Sequence, residues 1–191
     1  MTVSGVGSAT GSAFFTGLRK VLSGSFGSEG MLRTPEDGRF TLSGAGMLYI
    51  PNLRTDNPHH NHVTVDRNLR NRYAAKVDVE GDFSAATYKA VGMVVKKQDK
   101  DNMLVIEVNS KDEVRLVKYQ DGNKSVLKSV QLDESLSSEF EMAVDVNNSK
   151  IKFSIDGEEV FSETDSSFRG GEFGFGSFTG TSTFKNLEVY Q

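Results

Sequence analysis

An all-β sandwich of two antiparallel sheets, preceded by a Gly/Ser-rich N-terminal arm, is the fold that this sequence predicts. Three observations carry the prediction. Beyond residue 38, apolar and polar residues alternate through most of the chain, which is the period of a strand with one buried face. Asp-Gly pairs at 121–122 and 156–157 punctuate the alternation, and Asp-Gly suits two-residue hairpin turns because both residues accept a left-handed backbone. About a dozen short strands result, with turn signals every eight to twelve residues, the spacing of a sandwich.

The first thirty residues contain seven Gly and six Ser but only three charges, Arg19, Lys20 and Glu29. That composition is a linker's, yet Phe14, Phe15, Leu18, Val21, Leu22 and Phe26 are apolar beads along it. Ser12 could cap a short helix over 13–22, with Phe14, Leu18 and Val21 at helical spacing and Gly17 weakening it. Residues 35–38 read as a turn. Phe40, Leu42, Met47 and Tyr49 suggest a hairpin around Gly44-Ala45-Gly46. Residues 52–61, NLRTDNPHHN, read as a polar loop. From Leu69, the residues Tyr73, Ala75, Val77 and Val79 face one way while Arg70, Arg72, Lys76 and Asp78 face the other. Residues 88–97 are apolar on both faces, as in a central strand, and strands follow around Leu104, Val114 and Val126.

The stretch 139–161 anchors the sandwich. Phe140, Met142, Val144 and Val146 form one apolar face, and Asn147-Asn148-Ser149 supply a turn. Ile151, Phe153 and Ile155 form the next face, and Val160 and Phe161 start a third strand after Asp156-Gly157. Three consecutive strands with oily faces need a second sheet to cover them. We expect these residues to contact Phe173, Phe175 or Phe184 across the sandwich.

The order of motifs that follows is similar to the end of a known family. After the hairpin come Gly170-Gly171-Glu172-Phe173-Gly174-Phe175-Gly176 and then Phe184-Lys185-Asn186-Leu187-Glu188-Val189. Hairpin, G-x-F-G-F-G and F-x-N-L-x-V resemble the close of a concanavalin A-like (laminin G-like) lectin/glucanase jelly roll. The resemblance covers about residues 39–191 and implies a jelly roll there, with an arm at 1–38. It says little about activity, because one fold carries many functions.

Composition narrows the function classes. The formal net charge of −4 argues against general nucleic-acid or anionic-membrane binding. There is no Cys, hence no disulfide framework and no thiolate metal site. No apolar run is long enough to span a membrane as a helix. The N-terminus lacks the apolar core of a signal peptide, and with Met1 at its head we expect a complete product.

Each candidate for chemistry has a plain structural alternative. Of His59, His60 and His62, either His59 and His62 or His60 and His62 could share a metal, with Asp56 and Asp66 the nearest carboxylates in sequence, but a solvated surface loop explains them more simply. The runs Asp99-Lys100-Asp101-Asn102 and Asp145-Val146-Asn147-Asn148 have the oxygen ligands calcium takes, and calcium is common among laminin G-like and legume-lectin relatives. Turns are rich in Asp and Asn for backbone reasons, so we assign no cofactor and keep calcium as the exception. The family 16 glucanases implied by the resemblance carry their carboxylates as E-x-D-x-x-E or E-x-D-x-E. Glu139, Glu141 and Asp145 share a strand face but not that spacing, and the absence of Trp removes the usual lining of sugar subsites. No G-x-S-x-G is present. We therefore name no catalytic residue and expect no enzyme. For sugar stacking, Tyr88 and Tyr119 fall on the polar sides of their strands and are the exposed aromatic candidates.

Two functional readings stand. The first is a structural or attachment component of a large assembly, with a bacteriophage virion protein (capsid decoration, tail or fibre subunit) as the most economical example. The arm would anchor it to other subunits through Phe14, Phe15, Leu18, Val21, Leu22 and Phe26, by strand addition to a neighbour's sheet. It would be oligomeric and located in the virion, with cytoplasmic or non-classically exported locations as alternatives. The second is a carbohydrate-binding, lectin-like module with a cell-surface glycan as partner.

Overall fold

The computed structural model describes residues 18–24, 32–33, 37–43, 46–83 and 88–191. Its strands, in chain order, are β1 (Lys20–Gly24), β2 (Arg39–Ser43), β3 (Gly46–Ile50), β4 (Val63–Leu69), β5 (Arg72–Glu80), β6 (Ala90–Lys97) and β7 (Met103–Asn109). They continue with β8 (Glu113–Gln120), β9 (Asn123–Gln131), β10 (Glu139–Asn147), β11 (Lys150–Ile155), β12 (Glu158–Thr164), β13 (Gly171–Thr179) and β14 (Ser182–Tyr190). One 3₁₀ turn, Pro58–His60, precedes β4. The strands form an eight-stranded sheet, β12-β11-β10-β5-β14-β3-β2 with β1 also on β14, and a six-stranded sheet, β4-β13-β6-β7-β8-β9. All pairings are antiparallel. The two-sheet jelly roll expected from the alternation is the fold observed.

Turn chemistry sets the registers. Asp156 and Gly157 have φ of 49° and 83°, and Asp121 and Gly122 have 52° and 76°. Both pairs are thus left-handed at both turn positions, as a tight hairpin requires. The β10–β11 register that follows pairs Val144 with Phe153 and Met142 with Ile155. Phe140, Met142, Val144, Ile151 and Phe153 are buried, and Ile155 packs partly buried against them. The opposite wall comes from the other sheet, where Phe173 and Phe175 are fully buried in the same core. Phe184 is also in that core but lies on β14, in the same sheet as Phe153. It lines the core from beside the hairpin instead of facing it, because β14 inserts between β5 and β3.

The C-terminal motif has a physical basis. Phe184, Leu187 and Val189 are all fully buried, yet residues 184 and 187 are an odd number apart and would face opposite sides of a regular strand. The pairing with β5 slips between Lys185 and Glu188, and Asn186 takes a left-handed φ of 51°. This bulge resets the alternation and returns Leu187 to the core. Asn186 also donates through Nδ2 to Asp78 Oδ2 at 2.7 Å across the bulge.

Two expectations about strand boundaries are corrected. The run starting at Leu69 is not one strand. Leu69 ends β4 in the six-stranded sheet, and Tyr73 belongs to β5 in the eight-stranded sheet. The chain crosses between sheets at Arg70-Asn71, so both apolar residues point into one core from opposite walls. The helix expected over 13–22 is also replaced, for its described residues, by strand. Residues from Lys20 pair with β14, with Leu22 opposite Val189 and Gly24 opposite Leu187. The pairing partners β14 offers there outcompete a short helix weakened by Gly17, because β3 covers only residues 182–184 of that edge. Leu18 is half-buried, and Val21 packs against this chain's own core. Strand addition by the arm thus occurs, over Lys20–Gly24, on the chain's own sheet. Phe14, Phe15 and Phe26 lie outside the described residues. Strand pairing begins ahead of residue 39, with Leu32 forming a bridge to Val65 as well.

Phe153 is fully buried and its ring stacks on Phe161 at 5.7 Å. Phe153→Ala should therefore lower unfolding free energy by about 3–5 kcal/mol through the cavity it leaves, measured by urea denaturation. A loss under about 1 kcal/mol would contradict this packing.

Candidate functional site

The six-stranded sheet is apolar on its outer face as well as its inner one. Ala90, Val94, Met103, Val105, Val117, Tyr119 and Phe178 form a second buried cluster, separate from the main core. A sheet face of this kind must be roofed. The roof comes from the chain entering β4: residues 57–62 lie across β13, where glycines leave room. A Cβ on Gly176 would stand 2.1 Å from the Asn61 carbonyl oxygen, and one on Gly174 would stand 2.5 Å from that of Val63. The G-x-F-G-F-G motif thus places Phe173 and Phe175 in the core and a smooth glycine track outside.

The track brings His59 to the middle of the outer face. Asn57 caps the 3₁₀ turn, its Oδ1 accepting from the His59 amide at 3.0 Å, and Pro58 occupies the first position of the turn. His62 Nδ1 donates to the His59 carbonyl at 2.8 Å, and Asn61 ties the turn back to Asn52 at 2.6 and 3.1 Å. The His59 ring is fully buried, edge-on to Phe178 at 4.7 Å and to Tyr119 at 5.6 Å. Its Nδ1 lies 2.7 Å from the Tyr119 hydroxyl on β8, and its Nε2 lies 2.6 Å from Glu107 Oε2 on β7.

Glu107 is the centre of the polar part of this face. Besides His59, it accepts from the Tyr88 hydroxyl at 3.0 Å and the Asn109 amide at 3.4 Å, both on Oε1. Arg115 Nη1 stands 3.7 Å from the same oxygen. Register explains the grouping: Glu107 pairs with Arg115, and Asn109 with Glu113. Arg115 also ion-pairs with Glu113, which accepts from Ser129 on β9. At the outer edge the Tyr88 ring is 43% exposed, and Lys111 Nζ sits 5.8 Å from its centre.

Burial opposes charge on Glu107, but the hydrogen bond and charge of His59, with the Tyr88 and Asn109 hydrogen bonds, outweigh it and hold the carboxyl at about 2. Burial lowers the His59 pKa, against the pull of Glu107. His59 Nε2–H donates to the Glu107 carboxylate, while the Tyr119 hydroxyl stands between His59 Nδ1 at 2.7 Å and Asn57 Oδ1, to which it donates, at 3.1 Å. Burial, helped by the Glu107 charge, pushes the Tyr88 and Tyr119 phenols up to about 12, which keeps both protonated. The ion pair with Arg115 lowers Glu113. The site thus presents two ionised carboxylates, a guanidinium and an exposed ring.

Against the sequence expectations, Tyr88 is exposed as predicted, whereas Tyr119 is only 5% exposed. The loop at 52–62 folds over Tyr119 and uses its hydroxyl, a cover that strand alternation alone does not reveal. His59 and His62 are buried, not solvated, because the glycine track draws them onto the sheet. His60 is half-buried, with Nε2 3.0 Å from the Lys100 carbonyl oxygen. Among the described residues no cluster of three or more His, Asp or Glu is arranged to hold a metal. Asp99 instead caps its own turn, accepting from the Asp101 amide at 2.8 Å and from Asn102. Glu139, Glu141 and Asp145 lie on β10 in the other sheet, where Glu141 pairs with Lys76 at 2.8 Å. Glu107, Asn109, Glu113 and Arg115 were missed. The available signal was one acid, Glu107, inside the otherwise apolar run Leu104-Val105-Ile106-Glu107-Val108.

No family model and no curated protein sequence matches the chain. Solved structures do match in shape. The carbohydrate-binding module CBM66 from Bacillus subtilis is 17% identical with a TM-score of 0.60, covering 84% of this chain and 92% of that one. A Bacillus subtilis protein of unknown function with a galectin-like fold is 9% identical with a TM-score of 0.64, over 90% and 96% of the two chains. The Bacillus licheniformis β-glucanase is 14% identical with a TM-score of 0.57, over 92% of each chain. The chain accordingly has the concanavalin A-like jelly-roll fold. That fold is shared by carbohydrate-binding and glycoside-cleaving proteins, and at these identities the likeness extends to the fold alone. Nothing in it bears on a virion, an assembly partner or an oligomer.

The buried pair makes stability depend on pH. The Glu107 carboxyl titrates lower in the folded chain than its ordinary 4.5, so its contribution is present above 4.5 and is lost as pH falls towards 2. His59, also lowered, adds a loss of the same sign as pH falls below its ordinary 6.5. Urea denaturation should show that Glu107→Gln costs up to about 3 kcal/mol at pH 6, with the gap from wild type narrowing steadily towards pH 2.5. A gap independent of pH would contradict the arrangement.

Proposed function

We propose that this protein is a glycan-binding module whose site lies on the outer face of the six-stranded sheet, around Tyr88, Glu107, Asn109, Glu113, Arg115 and Ser129. The observation that carries the reading is the Tyr88 ring. It is 43% exposed while its hydroxyl is fixed on Glu107, with the Arg115–Glu113 pair beside it. An aromatic face held rigid by its polar tip can stack on the C–H face of a sugar ring. Neighbouring carboxylates and a guanidinium supply the charged hydrogen bonds that orient hydroxyl groups. The fold neighbours support the same class, since they include a carbohydrate-binding module and a β-glucanase.

Binding without hydrolysis is the version that the electrostatics favour. A glycosidase needs a carboxylic acid kept protonated near neutral pH to protonate the leaving oxygen. Glu107 and Glu113 are both shifted the other way. Their fixed negative charge suits acceptance from hydroxyls rather than proton donation.

A glycan array should identify neutral or charged oligosaccharide ligands. Isothermal titration with the best of them should lose at least tenfold in affinity on Tyr88→Ala and on Arg115→Ala, with thermal unfolding little changed for Tyr88→Ala. β-Glucans should be left intact by the wild-type protein. β-Glucan turnover that disappears in Glu107→Gln would replace this reading with an enzymatic one, and an array without any hit would remove it.

A further inference from the structure

A polar cavity, of about 500 Å³, opens at the far end of the strands from Tyr88. Arg70, Asn71, Lys97, Gln98, Arg169 and Glu172 line it, around the Gly170-Gly171 backbone. It sits where β4 ends, β6 ends and β13 begins, whereas Tyr88 lies ahead of the start of β6. Nine residues of extended chain separate Lys97 from Tyr88, roughly 30 Å at the usual rise per residue. The cavity is therefore distinct from the Glu107 site.

Its charge is unlike that of the rest of the chain. The protein carries a formal net charge of −4, yet three cations, Arg70, Lys97 and Arg169, meet here around one carboxylate. That carboxylate is already engaged: Glu172 ion-pairs with Arg33 and lies 3.9 Å from Lys97 Nζ. Arg70 and Arg169 form no ion pair among the described residues, and Arg70 is exposed. The floor is rigid. Gly170 and Gly171 are buried at φ of 63° and 124°, and Gln98 Nε2 spans from the Lys96 carbonyl at 3.1 Å to the Gly170 carbonyl at 2.9 Å. A side chain on Gly171 would stand 2.6 Å from the Lys97 carbonyl oxygen, so the opening depends on glycine there.

We propose that this cavity binds the sulfate or carboxylate group of an acidic polysaccharide, with Arg70 and Arg169 as its ligands and Lys97 as a fixed charge behind them. Guanidinium groups match the planar and tetrahedral oxyanions in paired hydrogen bonds. An open, polar cavity with two guanidiniums that form no ion pair among the described residues favours an anion tethered on a larger chain over a small apolar ligand. The choice of a polysaccharide as bearer of the anion rests on the glycan reading above; the anion site itself stands on the cations.

The test is ¹⁵N-resolved NMR titration of the full chain with five probes: sodium sulfate, a sulfated tetrasaccharide, a tetragalacturonate, a neutral galacto-tetrasaccharide and an acidic peptide. The amides of Gly170, Gly171 and Gln98 should shift with the sulfated or uronate tetrasaccharide, at least tenfold more tightly than with sulfate. Binding should weaken as salt rises. The Arg70→Gln/Arg169→Gln double variant should lose at least tenfold for the acidic probes while Tyr88→Ala leaves these shifts intact. Unchanged acidic binding in the double variant would overturn the proposal. So would shifts of these amides with sulfate and none with the acidic tetrasaccharides, or with an acidic peptide as tightly as with the acidic sugars. Loss of neutral-sugar binding in Tyr88→Ala, with acidic binding kept, separates a failure of the Glu107 site from a failure of this one.

Discussion

A sheet that is apolar on both faces cannot be finished by one partner sheet, and that constraint organises this molecule. The inner face of the six-stranded sheet meets the eight-stranded one through Phe173, Phe175, Met93 and Ile106. The outer face still presents Val94, Val105, Val117 and Met103. A roof drawn from a loop brings backbone polar groups into a dry place, and each needs a partner. Asn61 and His62 supply them locally by bonding Asn52 and the His59 carbonyl. The glycine track lets the roof come close enough to exclude water. His59 is what then fills the centre, and each of its two ring nitrogens needs a partner. Tyr119 and Glu107 are those partners.

The chemistry at the rim follows from that packing. Once Glu107 is buried beside His59, its second oxygen must also be satisfied, and Tyr88 and Asn109 do so. Tyr88 is thereby fixed by its hydroxyl with its ring turned to solvent. A structural need of the sheet has oriented the aromatic surface on which the functional reading depends. The same donors that fix Glu107 lower its pKa and favour its ionised form. One fold can thus carry binding and hydrolysis, with the environment of its carboxylates deciding between them.

Most of the fold was legible in the sequence because period-two alternation and Asp-Gly turns are local signals. The β10–β11 hairpin and the core role of Phe153 came directly from them. The errors lie where non-local pairing overrides local pattern. The Leu69-to-Val79 run alternates cleanly but is split by a crossover at Arg70-Asn71, which alternation cannot register because both walls face the same core. Tyr119 looked exposed by its place on the polar side of β8, and only the distant 52–62 loop buries it. The histidines looked solvated for the same reason. Glu107 was legible as an acid in an apolar strand, but its partners come from β8, the loop and the segment before β6, and no spacing in the sequence joins them.

The N-terminal arm shows the same principle at a sheet edge. β14 is paired with β5 along one side, while on the other β3 covers only residues 182–184. The remaining edge, from Leu187 to Tyr190, would be left with unpaired backbone groups, a surface that invites pairing with another chain. Lys20–Gly24 occupies it, and reciprocal backbone bonds between Arg19 and Gln191, at 3.0 and 2.9 Å, extend the ladder by one step. Lys20 reaches across to Glu188 and adds a charge pair at the surface. A Gly-rich segment is well suited to this, because strand addition draws its free energy from backbone groups that every residue has. The hydrogen bonds expected from neighbouring subunits are, for these residues, made within the chain, so this part of the arm completes the sandwich that carries the site.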